Sequence, residues 1–278
     1  MMATAWDEFL SAFRLGWREP AADLTSSRGS QYTVVRKEWV TAMHHVRMLV
    51  CACRTPQAGD PPAFALIRLP SWCRGLHADG FIPVPCVDAA PSPDAAVGTR
   101  VCAAVHALAA AAERLRVSGI VCTDMDVAQF SAGLCVPHFG SFERATPEAY
   151  GGPNGGVTYP TPEWCLHRAK AGGGERAMVW QLGIVMLILA EPALVTFDHF
   201  RACTRAESFV DRGVPGGKTA VQLVRAAYEA IDEIVTDMLA LMYVGDDASE
   251  HPFAEALSYA LGEGKREQRL GEFIRIVQ

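Results

Sequence analysis

The chain lacks several things that would have pointed to simple answers. No apolar run reaches the roughly 20 residues that a membrane span needs. The longest, Met178 to Ala190, is interrupted by Gln181 and flanked by Arg176 and Glu191, so a buried core helix is expected and no membrane span. There is no excess of basic charge: 25 Lys and Arg face 31 Asp and Glu, for a net charge of −6. That balance argues against a nucleic-acid partner, which would need a basic stripe to neutralise phosphates. No apolar leader is evident either, because Asp7 and Glu8 fall where one would lie, and a chain that is not secreted is expected. The nine cysteines are odd in number and scattered through apolar segments. That pattern suits buried, reduced thiols better than a disulfide framework. No internal repeat is found.

What is present is apolar substance. Half of the 278 residues are apolar, enough for a large core in one domain or in two lobes sharing a cleft. Met2 to Phe13 reads as a short amphipathic helix, with Trp6, Phe9, Leu10 and Phe13 on one side. Gln31 to Arg36 is β-rich, whereas Glu38 to Cys53 shows helical spacing through Val40, Met43, Val46 and Val50. Ala63 to Leu69 is a short apolar strand ending at Pro70, and the proline-rich Phe81 to Pro93 reads as a loop. Val97 to Leu115 is an alanine-rich helix, followed by short strands around Ile120 and Leu134 to Val136. Gly151 to Pro162 is loop. Helical periodicity then dominates through Val179–Ala190, Thr219–Val244, Phe253–Leu261 and Leu270–Val277. The fold class expected is α+β, a β-rich first part followed by a mainly helical remainder.

The most informative stretch is Gly119-Ile120-Val121-Cys122-Thr123-Asp124-Met125-Asp126-Val127-Ala128-Gln129-Phe130, followed by Pro137-His138-Phe139-Gly140. Pro162-Glu163 and Trp180-Gln181-Leu182-Gly183 come after it in order. Together these resemble the landmarks of protein kinases, in the frame "G-I-V-H-R-D-L-K-x-x-N-I … D-F-G". Tyr32-Thr33-Val34-Val35-Arg36-Lys37-Glu38-Trp39 and Leu66-Ile67-Arg68-Leu69-Pro70 are similar to stretches of herpesvirus serine/threonine kinases. The resemblance implies a bilobal fold, with a small, reduced β-rich lobe over residues 1–70 and a larger helical lobe over 71–278. The hinge falls near Leu69–Trp72.

Phosphoryl transfer is mostly positioning and charge neutralisation, so the resemblance can be weighed residue by residue. It places Asp124 at the catalytic base, the one catalytic residue retained. Arg36 stands where the phosphate-binding lysine is expected, and a planar guanidinium is not equivalent to an ammonium. Lys37 points to the other face of the strand. Val46 replaces the helix glutamate, and no G-x-G-x-x-G precedes the strand; Gly16 and Gly29 are isolated. Cys122-Thr123 replaces His-Arg. Asp126 replaces the lysine that steadies the transferred phosphate and inverts its charge. Gln129 replaces the metal-binding Asn, and His138 replaces the metal-binding Asp, although hard Mg²⁺ prefers oxygen. Structural landmarks survive better: Phe139 as apolar plug, Gly140 as hinge, and Glu163 at the end of the activation segment, with Arg266 (or Arg269) as its ion-pair partner. Met178 replaces the aspartate that anchors the catalytic loop, so that anchor is expected to be lost.

Simpler readings stand beside these. Asp124 and Asp126 can be loop acids capping amides. His44-His45 face different ways, and Cys135-x-x-His138 lacks a second ligand pair at zinc spacing. Cys51-x-Cys53 suits buried thiols, and Cys122 as a nucleophile has no base placed beside it. Ser141, Thr146, Thr158 and Thr161 are candidate phosphorylation sites in the activation segment. The resemblance implies a viral pseudokinase acting through protein partners, host or viral, in the host cytoplasm or nucleus. It implies no required cofactor, with weak ATP binding and no Mg²⁺. Two alternatives stay open. One is an atypical active serine/threonine kinase using Asp124 as base, Arg36 for the phosphates and Gln129 with Asp126 as metal ligands. The other is a nucleotide-binding scaffold without transfer.

Overall fold

The computed structural model describes residues 9, 16–26, 28–40, 45–55, 57, 60–88, 94–130, 133–144, 158–162, 175–197, 200, 204, 220–244, 251–262 and 268–278. Of these, the side chains of 36–40, 45, 46, 95, 123, 130, 220, 221 and 223 lie outside the description. The first half is dominated by an antiparallel meander of five strands in sequence order. These are β1 (Asp23–Thr25), β2 (Gln31–Val40), β3 (His45–Thr55), β4 (Ala63–Arg68) and β5 (Phe81–Pro85). The helix expected over Glu38–Cys53 is therefore a correction: the segment finishes β2 and forms most of β3. Trp39 pairs with Val46 and Val50 with Ala65, so Val40, Val46 and Val50 of the expected helical stripe are ladder positions, while Met43 lies outside the described residues. Their β-branched and aromatic character suits a pleated surface, and pairing on both sides outweighs local spacing. The segment expected as loop after Phe81 also pairs, β5 with β4 through Ile67↔Ile82. The sheet thus continues past residue 70, across a 3-10 turn at Ser71–Gly75.

Strand β4 shows why this sheet is stable. Its residues alternate between two apolar clusters: Ala65 and Ile67 join the main core, while Phe64 and Leu66 face a second cluster. In that second cluster Phe9, Tyr32 and Phe64 meet edge to face, with ring centroids 5.0 to 5.8 Å apart. Such contacts add to the burial of large rings. Of the expected Met2–Phe13 helix only Phe9 lies within the described residues, and it is buried here.

After β6 (Val87–Asp88) comes α1 (Ala95–Val117), capped by the Asp94 carboxylate, which accepts from the Val97 amide at 2.8 Å. Gly119, at φ +78°, ends it in a left-handed conformation that a side chain would strain. The chain then runs into a long hairpin, β7 (Ile120–Phe130) and β8 (Leu134–Arg144), with β6 on the far side of β8. Among the described residues four helices follow: α2 (Glu175–Ala190), α3 (Ala220–Met242), α4 (Pro252–Leu261) and α5 (Leu270–Ile276). These match the segments whose periodicity predicts helix, and the architecture is α+β as expected. Every residue of α2 from Met178 to Ala190 is buried, so it is the central helix of the core. No described helix is long and apolar enough to cross a membrane. Gly183 lets α4 approach closely, because a Cβ there would sit 2.7 Å from the Ala260 Cβ. The carboxylate of Glu175 accepts from the Leu270 amide at 3.0 Å, tying the start of α2 to the start of α5.

Candidate functional site

The hairpin carries three buried polar residues: Asp124 and His138 at 0% exposure and Asp126 at 8%. A buried carboxylate is costly unless its oxygens are bonded, and here they are. Asp124 Oδ1 accepts the Thr158 amide at 2.7 Å, and Oδ2 accepts the Thr158 hydroxyl at 2.9 Å. Asp126 Oδ1 accepts the Tyr159 hydroxyl at 3.0 Å and the Val127 amide at 2.8 Å. Two consecutive residues, Thr158 and Tyr159, therefore clamp two acids of one strand.

The strand itself is irregular at this point. Its register against β8 shifts between Cys122 and Asp124 and again between Asp124 and Met125. A bulge takes backbone groups out of the ladder and leaves them needing another partner. The Met125 amide finds it in the Gln181 side chain, whose Oε1 accepts at 2.7 Å. Gln181 is the polar interruption in the apolar run of α2. The central helix thus holds the acidic strand through Gln181.

The sequence-predicted residues divide sharply. Asp126 and His138 are directly opposed across the ladder and share one face of the hairpin. Asp124 and Gln129 are not brought together. They are five positions apart on one strand, a separation on the order of 15 Å at about 3.4 Å per residue. Gln129 instead pairs with Cys135, and its amide donates to the Pro192 carbonyl at 3.0 Å. Arg36 lies on β2 opposite Leu49, with its side chain outside the description. Glu163 and Arg266, like His44 and Thr146, lie outside the described residues. Phe139 is buried and meets Phe142 edge to face at 5.6 Å.

Two expectations are corrected. The catalytic-loop segment is a strand, because its Ile, Val, Cys and Phe residues pair along the whole length of β8. Gly140 lies inside β8 and not at a hinge. Met178 is buried in α2, and the bond from that helix to β7 comes from Gln181. Sequence reasoning missed Gln181 as a structural anchor, although one signal was available: a lone amide in the apolar run Met178–Ala190 must bond something. It also missed the Thr158–Tyr159 clamp, which joins residues more than thirty positions apart.

Other chemistry is disfavoured by the surroundings. The seven described cysteines are free thiols. Burial pushes Cys122 far above the ordinary thiol range, with the Cys73 sulfur adding to it, so it is not a ready nucleophile. Cys135 and His138 are three apart on one strand and point to opposite faces, so they do not chelate together. Among the described residues no group of three or more His, Cys, Asp or Glu is arranged to hold a metal ion.

No family model matches the chain, and no curated relative does. Among solved structures, that of vaccinia related kinase 3 aligns with all of this chain and 94% of its own, at 11% identity and a TM-score of 0.37.

Proposed function

We propose that this chain is a pseudokinase, a kinase-related protein with little or no phosphotransfer that works as a protein-interaction or regulatory scaffold. The observation that carries this reading is the state of Asp124. A catalytic base must offer an oxygen to the hydroxyl it deprotonates, and both oxygens of Asp124 are engaged by Thr158 in a fully buried position. The metal positions support the same reading. Mg²⁺ binds its oxygens at about 2.1 Å, so two donors to one ion lie within roughly 4 Å of each other. Asp126 and Gln129, three positions apart on an extended strand, are separated by about 10 Å at about 3.4 Å per residue and point to opposite faces, so they do not meet that condition, and His138 offers nitrogen. The residues present therefore do not fit a Mg·ATP complex of the usual kind, and no transfer step is derived through one.

The order of the kinase landmarks, the β-rich start and the buried helix at Trp180-Gln181-Leu182-Gly183 support kinase ancestry. The similarity of Tyr32–Trp39 and Leu66–Pro70 to herpesvirus kinases supports a viral protein acting in the host cytoplasm or nucleus, and that setting is part of the proposal.

The test is phosphate incorporation by purified protein given labelled ATP with Mg²⁺ or Mn²⁺, alongside Asp124→Ala. No incorporation above background is expected from either. Incorporation that disappears in Asp124→Ala would overturn the proposal. A thermal-shift series with ATP, with and without metal, is expected to show no metal-dependent stabilisation.

A further inference from the structure

We propose that the rim of the Ser71–Gly75 turn is a docking surface for an acidic, extended segment of a partner protein. The proposal deepens the scaffold reading by naming the chemistry of the partner. Two exposed arginines border this turn, and each guanidinium lies over an indole. Arg74 is 5.4 Å from the Trp17 ring centroid, and Arg144, at the end of β8, is 6.0 Å from that of Trp72. Stacking restrains a guanidinium in one plane while leaving its N–H edge open. Among the described residues neither arginine forms an ion pair, although Glu113–Arg116, Glu229–Arg225 and Glu272–Arg275 show that the chain pairs its arginines readily elsewhere.

The surface is built and not incidental. The Trp17 indole N–H donates to the His77 carbonyl at 3.1 Å. Its ring and Cα lie so close over Gly80 that a Cβ there would be 2.9 Å from the Trp17 Cα. The segment around Trp17 is thereby fastened across the 71–80 connection, and Arg74 lies over a fixed ring. Trp72 is part-buried against the main core, and Cys73 beside it is fully buried. Rigid Trp and Arg groups at a well-packed base are what interface hot spots are made of. Two planar forks, each suited to bidentate carboxylate, in a chain whose net charge is −6, mark a local reversal of sign. The same overall negative charge disfavours a nucleic acid as the occupant. A protein segment with spaced Asp or Glu offers carboxylates to both forks.

The experiment measures fluorescence anisotropy of a short labelled peptide of Asp, Glu, Ser and Gly titrated with the full chain. The variants are Arg74→Gln/Arg144→Gln and Arg74→Lys/Arg144→Lys, each first checked by thermal unfolding against the parent. Binding that weakens as salt rises is expected for the parent, with a loss of about tenfold or more in the Gln variant. The Lys variant is expected to fall between, since it keeps charge but not the stacked fork. Absence of peptide binding by the parent overturns the proposal, as does equal binding by the Gln variant. Tighter binding of a single-stranded oligonucleotide than of the peptide also overturns it, in favour of a phosphate backbone. Because the readout involves no nucleotide, peptide binding by a protein that also transfers phosphate would sink only the pseudokinase reading.

Discussion

Strands β4 and β7 are buried to a similar depth and solve the problem differently. Strand β4 places only apolar side chains inside, Ala63 to Ile67, split between two clusters on its two faces. Strand β7 buries two carboxylates among its apolar residues and compensates them with Thr158, Tyr159 and a bulge held by Gln181. The first arrangement follows from hydrophobic burial alone. The second persists only because specific partners arrive from distant parts of the chain, and it is where any functional history of the molecule is written.

The largest effect should come from breaking the apolar strand. Phe64→Ala removes the ring at the centre of the Phe9–Tyr32–Phe64 group and should cost about 3–5 kcal/mol in urea unfolding. A loss below about 1 kcal/mol would mean that this cluster is not a core. On the polar strand, Gln181→Leu leaves the buried Met125 amide without its acceptor and should cost about 1–3 kcal/mol, despite the gain in apolar volume. A neutral or stabilising result there would remove the anchor from the account. A subtler probe is the coupling between Asp124→Asn and Thr158→Val. If the clamp is a unit, a double-mutant cycle should give a coupling of about 0.5–3 kcal/mol, and additive costs would contradict it.

The smallest effect concerns pH. Burial pushes Cys51 and Cys102 up to about 12 and Cys73 and Cys135 up to about 11. In the unfolded chain thiols ionise near pH 8.5. The folded state therefore holds more protons above that pH, and stability should fall as pH rises beyond about 8.5. Unfolding midpoints followed from pH 7 to pH 10 test this, and a flat profile in protein with intact thiols would contradict it. Alkylation near pH 8 should likewise spare Cys51, Cys102 and Cys122 until the chain unfolds, which mass spectrometry can read.

Much of the helical half was legible because its periodicity and its packing agree. Val179–Ala190, Phe253–Leu261 and Leu270–Val277 all lie on helices. The Glu38–Cys53 segment was misread because Val40, Val46 and Val50 fit a helical spacing while also belonging to two strands. Nothing local chooses between these; the presence of β4 as a partner does. Around Asp124 the residue types were legible but their conformation was not, since a catalytic loop and an extended strand can be written with the same letters.

The order of the short motifs, the absence of basic excess, the buried character of Met178–Ala190 and the residue types at Asp124, Asp126, Gln129 and His138 were all determined by the linear chain. Tertiary structure alone decided that Asp124 is sealed by Thr158, that Gln129 is carried away from it, and that Arg74 and Arg144 stand on fixed indoles. The physical reason is one of range. Composition and spacing act over a few residues, whereas satisfying a buried carboxylate or fixing a guanidinium requires groups that only folding brings within 3 to 6 Å.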